Sequence, residues 1–73
     1  MKLSKDEVKI GTYVTIKSTT CNEWFTGKIA FKALSFFEVQ YVDGGREWAC
    51  GFNYGEELSL TGSYTLHSLI PSQ

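Results

Sequence analysis

Apolar and polar residues alternate with a period of two along most of the chain. From Thr12 to Ser18, Val14 and Ile16 alternate with Tyr13, Thr15 and Lys17, which predicts a strand with one face in a core and the other in water. After the polar turn Thr19 to Glu23, Phe25, Gly27, Ile29 and Phe31 alternate with Trp24, Thr26, Lys28, Ala30 and Lys32, predicting a second strand. A third runs from Phe36 to Val42, with Phe37, Val39 and Tyr41 on one face and Phe36, Glu38 and Gln40 on the other. Asp43-Gly44-Gly45 reads as a tight turn, because glycine tolerates positive φ and aspartate bonds its own backbone two residues on. Arg46 to Phe52 is then a fourth strand that turns Trp48, Cys50 and Phe52 the same way.

The pattern loosens beyond that point. Asn53-Tyr54-Gly55-Glu56 is a turn signal, Leu58 and Leu60 alternate with Ser59, and Thr61-Gly62-Ser63 interrupts before Tyr64, Leu66, Leu69 and Ile70. The only helix signal is Ser4-Lys5-Asp6-Glu7, a capping box with no apolar repeat behind it, which predicts one turn at most. Strands every eight to twelve residues without helices between them predict an all-β barrel or sandwich, one domain over residues 1–73.

Four segments carry a family likeness. Ile10-Gly11-x-x-Val14-x-Ile16, Trp24-Phe25-x-Gly27-x-Ile29, Phe37-Glu38-Val39-Gln40-Tyr41-Val42-Asp43-Gly44 and Leu66-x-x-Leu69-Ile70-Pro71 together resemble the Tudor-like branch of the SH3-like barrels. The resemblance covers residues 8 to 48 and 65 to 71. It implies a small barrel of about five strands; the stretch from Ala49 to Tyr64 is longer than that barrel needs and is expected to form an extended hairpin before the last strand. A glycine two places after the aromatic pair permits a sharply bent second strand, since a larger side chain there would collide across the barrel.

Methyl-reading members of that branch hold their ligand in an aromatic cage, and Phe25 and Tyr41 match two cage positions. Ser18, Gly44 and Arg46 depart from the cage pattern, and the Arg46 charge opposes a cationic guest, so methyl recognition is not implied. Type II dihydrofolate reductases, small SH3-like barrels with one site shared by a tetramer, use a Val-Gln-x-Tyr segment. Val39-Gln40-Tyr41 lacks the spacer, but the likeness shows how a barrel of this size becomes an enzyme: by oligomerisation.

Composition narrows the functional classes. The aromatic content, 15% of 73 residues, is too high for disorder, and the formal net charge of −1 supplies no global field for nucleic acid or anionic membrane. The charge is uneven, since all seven basic residues lie at or before Arg46, and the first 32 residues hold six lysines against three carboxylates. No apolar run approaches the ~20 residues that span a bilayer, and Met-Lys-Leu-Ser-Lys-Asp-Glu has no export segment, so a cytoplasmic setting without membrane partners is expected. Cys21 and Cys50 are then expected to be free thiols. Two cysteines and one histidine fall short of four zinc ligands, so neither metal nor cofactor is expected.

The candidate chemistry is that of binding. If Phe25 faces the core, Trp24 faces out and offers an anchor to a partner; the other reading packs it beneath the Thr19 to Glu23 loop. The parity of Trp48 with Cys50 and Phe52 points it to the core, with an interface role as the other reading. Tyr54, at a turn tip, is expected to contact a second protein or to cap the barrel end. Trp24, Phe25, Tyr41, Asp43, Glu47, Trp48 and Tyr54 therefore form the expected partner-binding set, at one barrel end, of a non-catalytic protein-interaction or self-associating module.

Lys17, Lys28 and Lys32, near Tyr13 and Trp24, support nucleic-acid binding as an alternative. A small oligomeric enzyme is the second alternative. His67-Ser68 has no second histidine beside it to complete a catalytic set, so no catalytic residue is expected.

Overall fold

The computed structural model describes residues 1–71. Five strands, β1 (Tyr13–Ser18), β2 (Trp24–Lys32), β3 (Phe36–Asp43), β4 (Arg46–Asn53) and β5 (Tyr64–Ile70), form one antiparallel sheet in the order β4-β3-β2-β1-β5. The all-β expectation holds, and each of the first four strands lies within a residue of its expected limits. Among the described residues no helix is long and apolar enough to cross a membrane.

The inward residues are those of the period-two reading. Val14, Ile16, Ile29, Phe37, Val39, Cys50, Phe52 and Leu66 are buried, and Phe37 stacks on Phe52 at 5.6 Å between ring centroids. The N-terminal segment completes this core, which the alternation does not reveal. Leu3 and Val8 are fully buried, the Gly55 amide donates to the Leu3 carbonyl, and Lys32 Nζ donates to the Val8 carbonyl at 2.8 Å. Ser4 and Glu7 make the single turn expected, with the Ser4 amide donating to Glu7 Oε1 at 3.0 Å. That backbone bond, with a side-chain hydrogen bond to Ser4 second, holds the Glu7 carboxyl below its ordinary range.

Two irregularities redirect side chains. In β2 the pairing with β3 passes from Ile29↔Val39 to Phe31↔Glu38, leaving Ala30 as an extra residue. A bulge of this kind reverses the alternation. Phe31, expected inside, is therefore 47% exposed and lies 6.0 Å from the Phe36 ring on the outer face. In β5 the pairing with β1 passes from Thr15↔Ser68 to Ile16↔Leu66, leaving His67 without an opposite residue.

The expected extended hairpin does not form. Between Asn53 and Tyr64 the chain makes single bridges only, Phe52↔Ser59 and Leu58↔Thr65, so this connection touches the edges of both β4 and β5. Its parity explains why: Ser59 is buried and accepts the Tyr64 amide on Oγ at 3.0 Å, while Leu58 and Leu60 stay exposed. A buried serine is retained there because it bonds backbone that the broken ladder leaves free.

The β3–β4 turn follows its sequence. Gly44 and Gly45 both adopt positive φ, at 62° and 78°, and set Asp43 opposite Arg46. Such a two-residue turn matches the twist of the flanking strands.

Candidate functional site

The outward face of β1 and β2 gathers the exposed aromatic and basic side chains. Register sets Tyr13 opposite Lys28, Thr15 opposite Thr26, and Lys17 opposite Trp24. Trp24 is 55% exposed, which settles its two readings in favour of the outward one. Lys17 Nζ lies 5.1 Å from the Trp24 ring centroid, and the His67 ring meets the indole edge-on at 4.6 Å. The unpaired position of His67 in β5 puts it within reach. Such an exposed cation–π contact contributes ~0.5–1 kcal/mol and fixes the indole at little entropic cost to a later partner.

Three members of the expected set turn inward instead. Tyr41, expected to meet a partner, is only 6% exposed, and its hydroxyl donates to that of Tyr64 at 2.6 Å. Phe25 is half-buried, 5.3 Å from the Tyr41 ring and 6.1 Å from the Tyr64 ring. The three rings fill the space between them and pack the inner face. Burial and the Tyr64 hydrogen bond raise the Tyr41 hydroxyl above its ordinary value of 10.0. Tyr54, at its turn, stacks on Phe37 at 5.7 Å and donates to the Ala33 carbonyl at 2.6 Å, so it caps the core.

The remaining members sit at the β3–β4 hairpin. Trp48 faces the same side as Cys50 and Phe52, as its parity requires, but it is 48% exposed. Lying opposite Tyr41 on an edge strand, it overhangs the end of the core, and its Nε1 donates to the Asp43 carbonyl at 3.3 Å. The core reading of Trp48 is thereby corrected. Glu47 lies on the outer face and accepts from Gln40 Nε2 at 3.2 Å. Trp24 and Trp48 thus occupy opposite faces of the sheet, and the single surface expected at one end is divided.

The chain matches no protein-family model, no curated protein and no solved structure.

The lysine set also divides. Lys17 and Lys28 remain on the outer face, whereas Lys32 is tied to the N-terminal segment through Val8. The contributions of Tyr64 and of His67, as the partner of Trp24, were not readable in the alternation. Tyr64 begins β5 behind an irregular connection, and His67 owes its placement to a bulge that leaves no signature in residue types. Cys21 and Cys50 are free, the first exposed and the second buried. Burial, with the Glu38 charge second, pushes the Cys50 thiol up to about 12. Among the described residues no cluster of three His, Cys, Asp or Glu side chains is placed to hold a metal ion.

Proposed function

We propose that the chain is a non-catalytic protein-interaction module with an SH3-like, Tudor-like barrel architecture, and that its partner lies on the outer face of β1 and β2. The carrying observation is Trp24, more than half exposed yet held in place by Lys17 and His67. A large aromatic side chain fixed before contact is the type of residue that dominates interface energies. The architectural part is supported by the order β4-β3-β2-β1-β5 and by the connection that touches both edge strands. Gly27 supports it too, since a Cβ at that position would meet the Val39 side chain and, at 3.0 Å, the Gln40 carbonyl oxygen. The non-catalytic part is supported by the state of the groups with nucleophilic or acid–base chemistry. His67 packs against an indole, and the Cys50 thiol is held protonated.

The test is a comparison of immobilised wild-type chain with Trp24→Ala, after nuclease treatment, in an extract of cells that express the protein. The reading expects a protein retained by the wild type and lost with the variant, while the far-UV circular dichroism is unchanged. Equal retention by both overturns it. Nucleic-acid binding stays as a second reading because Lys17 and Lys28 face outward beside Trp24 and Tyr13. It requires retention that falls steeply with salt and disappears on nuclease treatment.

A further inference from the structure

The outer face also carries a groove that Trp24 does not line. A depression of about 830 Å³ is bounded by Lys9, Ile10, Tyr13, Thr26, Ile70 and Pro71, among others. A smaller one of about 210 Å³ continues over Lys28, Gln40, Val42 and Glu47. The two share Tyr13 and Thr26, so they adjoin.

Register shows what the pair follows. Ile70 lies opposite Tyr13, Tyr13 opposite Lys28, Lys28 opposite Gln40, and Gln40 opposite Ala49. These five outward residues make one row across all five strands, perpendicular to them. Four inter-strand gaps of ~4.8 Å give a contour of roughly 19 Å along the curled sheet, the length of six or seven extended residues at ~3.3 Å each.

The chemistry changes along the row. Its β5 end is apolar, with Ile10, Tyr13, Ile70 and Pro71. Its middle is basic: Lys28 lies opposite Tyr13, and among the described residues its ammonium group has no carboxylate within 4.0 Å. Its β4 end is acidic, with Glu47 beside Gln40.

We infer that this row is a binding groove for an extended peptide segment of a partner protein. The segment places an apolar side chain at the β5 end, a carboxylate over Lys28, and a basic or neutral residue at Glu47. In an extended peptide alternate residues face the sheet, so the apolar anchor and the acid are two positions apart. The carboxylate gains a charge-assisted hydrogen bond that Lys28 does not make to a carboxylate within the described residues. A nucleic-acid strand fits the row less well, because Glu47 repels phosphate at its β4 end.

The inference rests on the reading of the chain as a protein-interaction module but uses different residues, so the two fail separately. The experiment selects from a displayed library of seven-residue peptides with the intact chain, and measures the winners by fluorescence polarisation beside a short oligothymidylate. The expected result is an aliphatic or aromatic residue followed two positions on by Asp or Glu. Affinity is expected to fall about tenfold in Lys28→Glu and in Tyr13→Ala, the scale of one lost charge-assisted or anchoring contact. Selection of no peptides, or of basic ones, overturns the groove, as does tighter binding of the oligothymidylate. If Lys28→Glu and Tyr13→Ala bind like wild type while Trp24→Ala does not, the groove is refuted and the module reading stands.

Discussion

The hydroxyl of Tyr41 donates to the hydroxyl of Tyr64 at 2.6 Å, joining β3 to β5 although β2 and β1 lie between them in the sheet. The contact requires the sheet to curl, since a flat one would hold these strands three inter-strand spacings apart, roughly 14 Å. Phe25, from β2, fills the inside of the curl against both rings. Removing the donor in Tyr41→Phe is expected to cost about 1 kcal/mol, because Tyr64 is partly exposed and recovers water. Tyr64→Phe is expected to cost more, about 1–3 kcal/mol, since it leaves the buried Tyr41 hydroxyl unpaired. The double variant should cost less than the sum, and urea titration of all four chains measures the coupling.

Gly27 supplies the room for that curl. A Cβ there would strike Val39, whose side chain is buried and has nowhere to move, and would lie 3.0 Å from the Gln40 carbonyl oxygen. Gly27→Ala is therefore expected to destabilise the chain by about 1–3 kcal/mol. Gly51→Ala is the control: its Cβ would meet the end of the exposed Leu60 side chain at 2.9 Å, which can rotate away. Thermal melts should show the larger loss at Gly27, and equal losses would place the tight packing elsewhere.

Alkaline pH probes the same core. The folded chain holds the Cys50 proton up to about 12 and raises the Tyr41 hydroxyl, from ordinary values of 9.0 and 10.0. Above about pH 9 the unfolded chain therefore binds fewer protons than the folded one, and stability declines as pH rises. The contribution is complete below pH 9 and is lost progressively toward about pH 12. Urea midpoints measured across this range should fall for the wild type and fall less for Cys50→Ala.

Much of the fold was legible in the residues, for a physical reason: a half-buried strand must alternate, and Val14, Ile16, Phe37, Val39, Cys50 and Phe52 all do. What escaped lies where the ladder is irregular. The extra residue Ala30 turns Phe31 outward, and an alanine advertises no bulge. Trp48 has the parity of a core residue but overhangs an edge strand, and parity carries no information on what covers a face. Leu3 and Val8 were invisible as core because a segment that packs without regular structure has no period.

The candidate site was read less completely for the same reason. Trp24, Lys17 and Lys28 kept the outward parity of β1 and of β2 before its bulge, and Tyr41 kept the inward parity of Phe37 and Val39, against its reading as a partner contact, whereas Tyr54 was drawn inward by its contact to Ala33, distant in sequence. His67 joined the outer face only through the irregularity in β5.

The proposed surface for a protein partner is the outer face of β1 and β2. A photo-crosslinking residue in place of Thr15, between the Tyr13–Lys28 and Lys17–Trp24 pairs, reports on it most directly, with one in place of the exposed Glu56 as the comparison. A protein adduct is expected from position 15, absent from position 56 and lost when Trp24→Ala is added. An adduct from position 56 alone, or adducts at position 15 made only of nucleic acid, would contradict it.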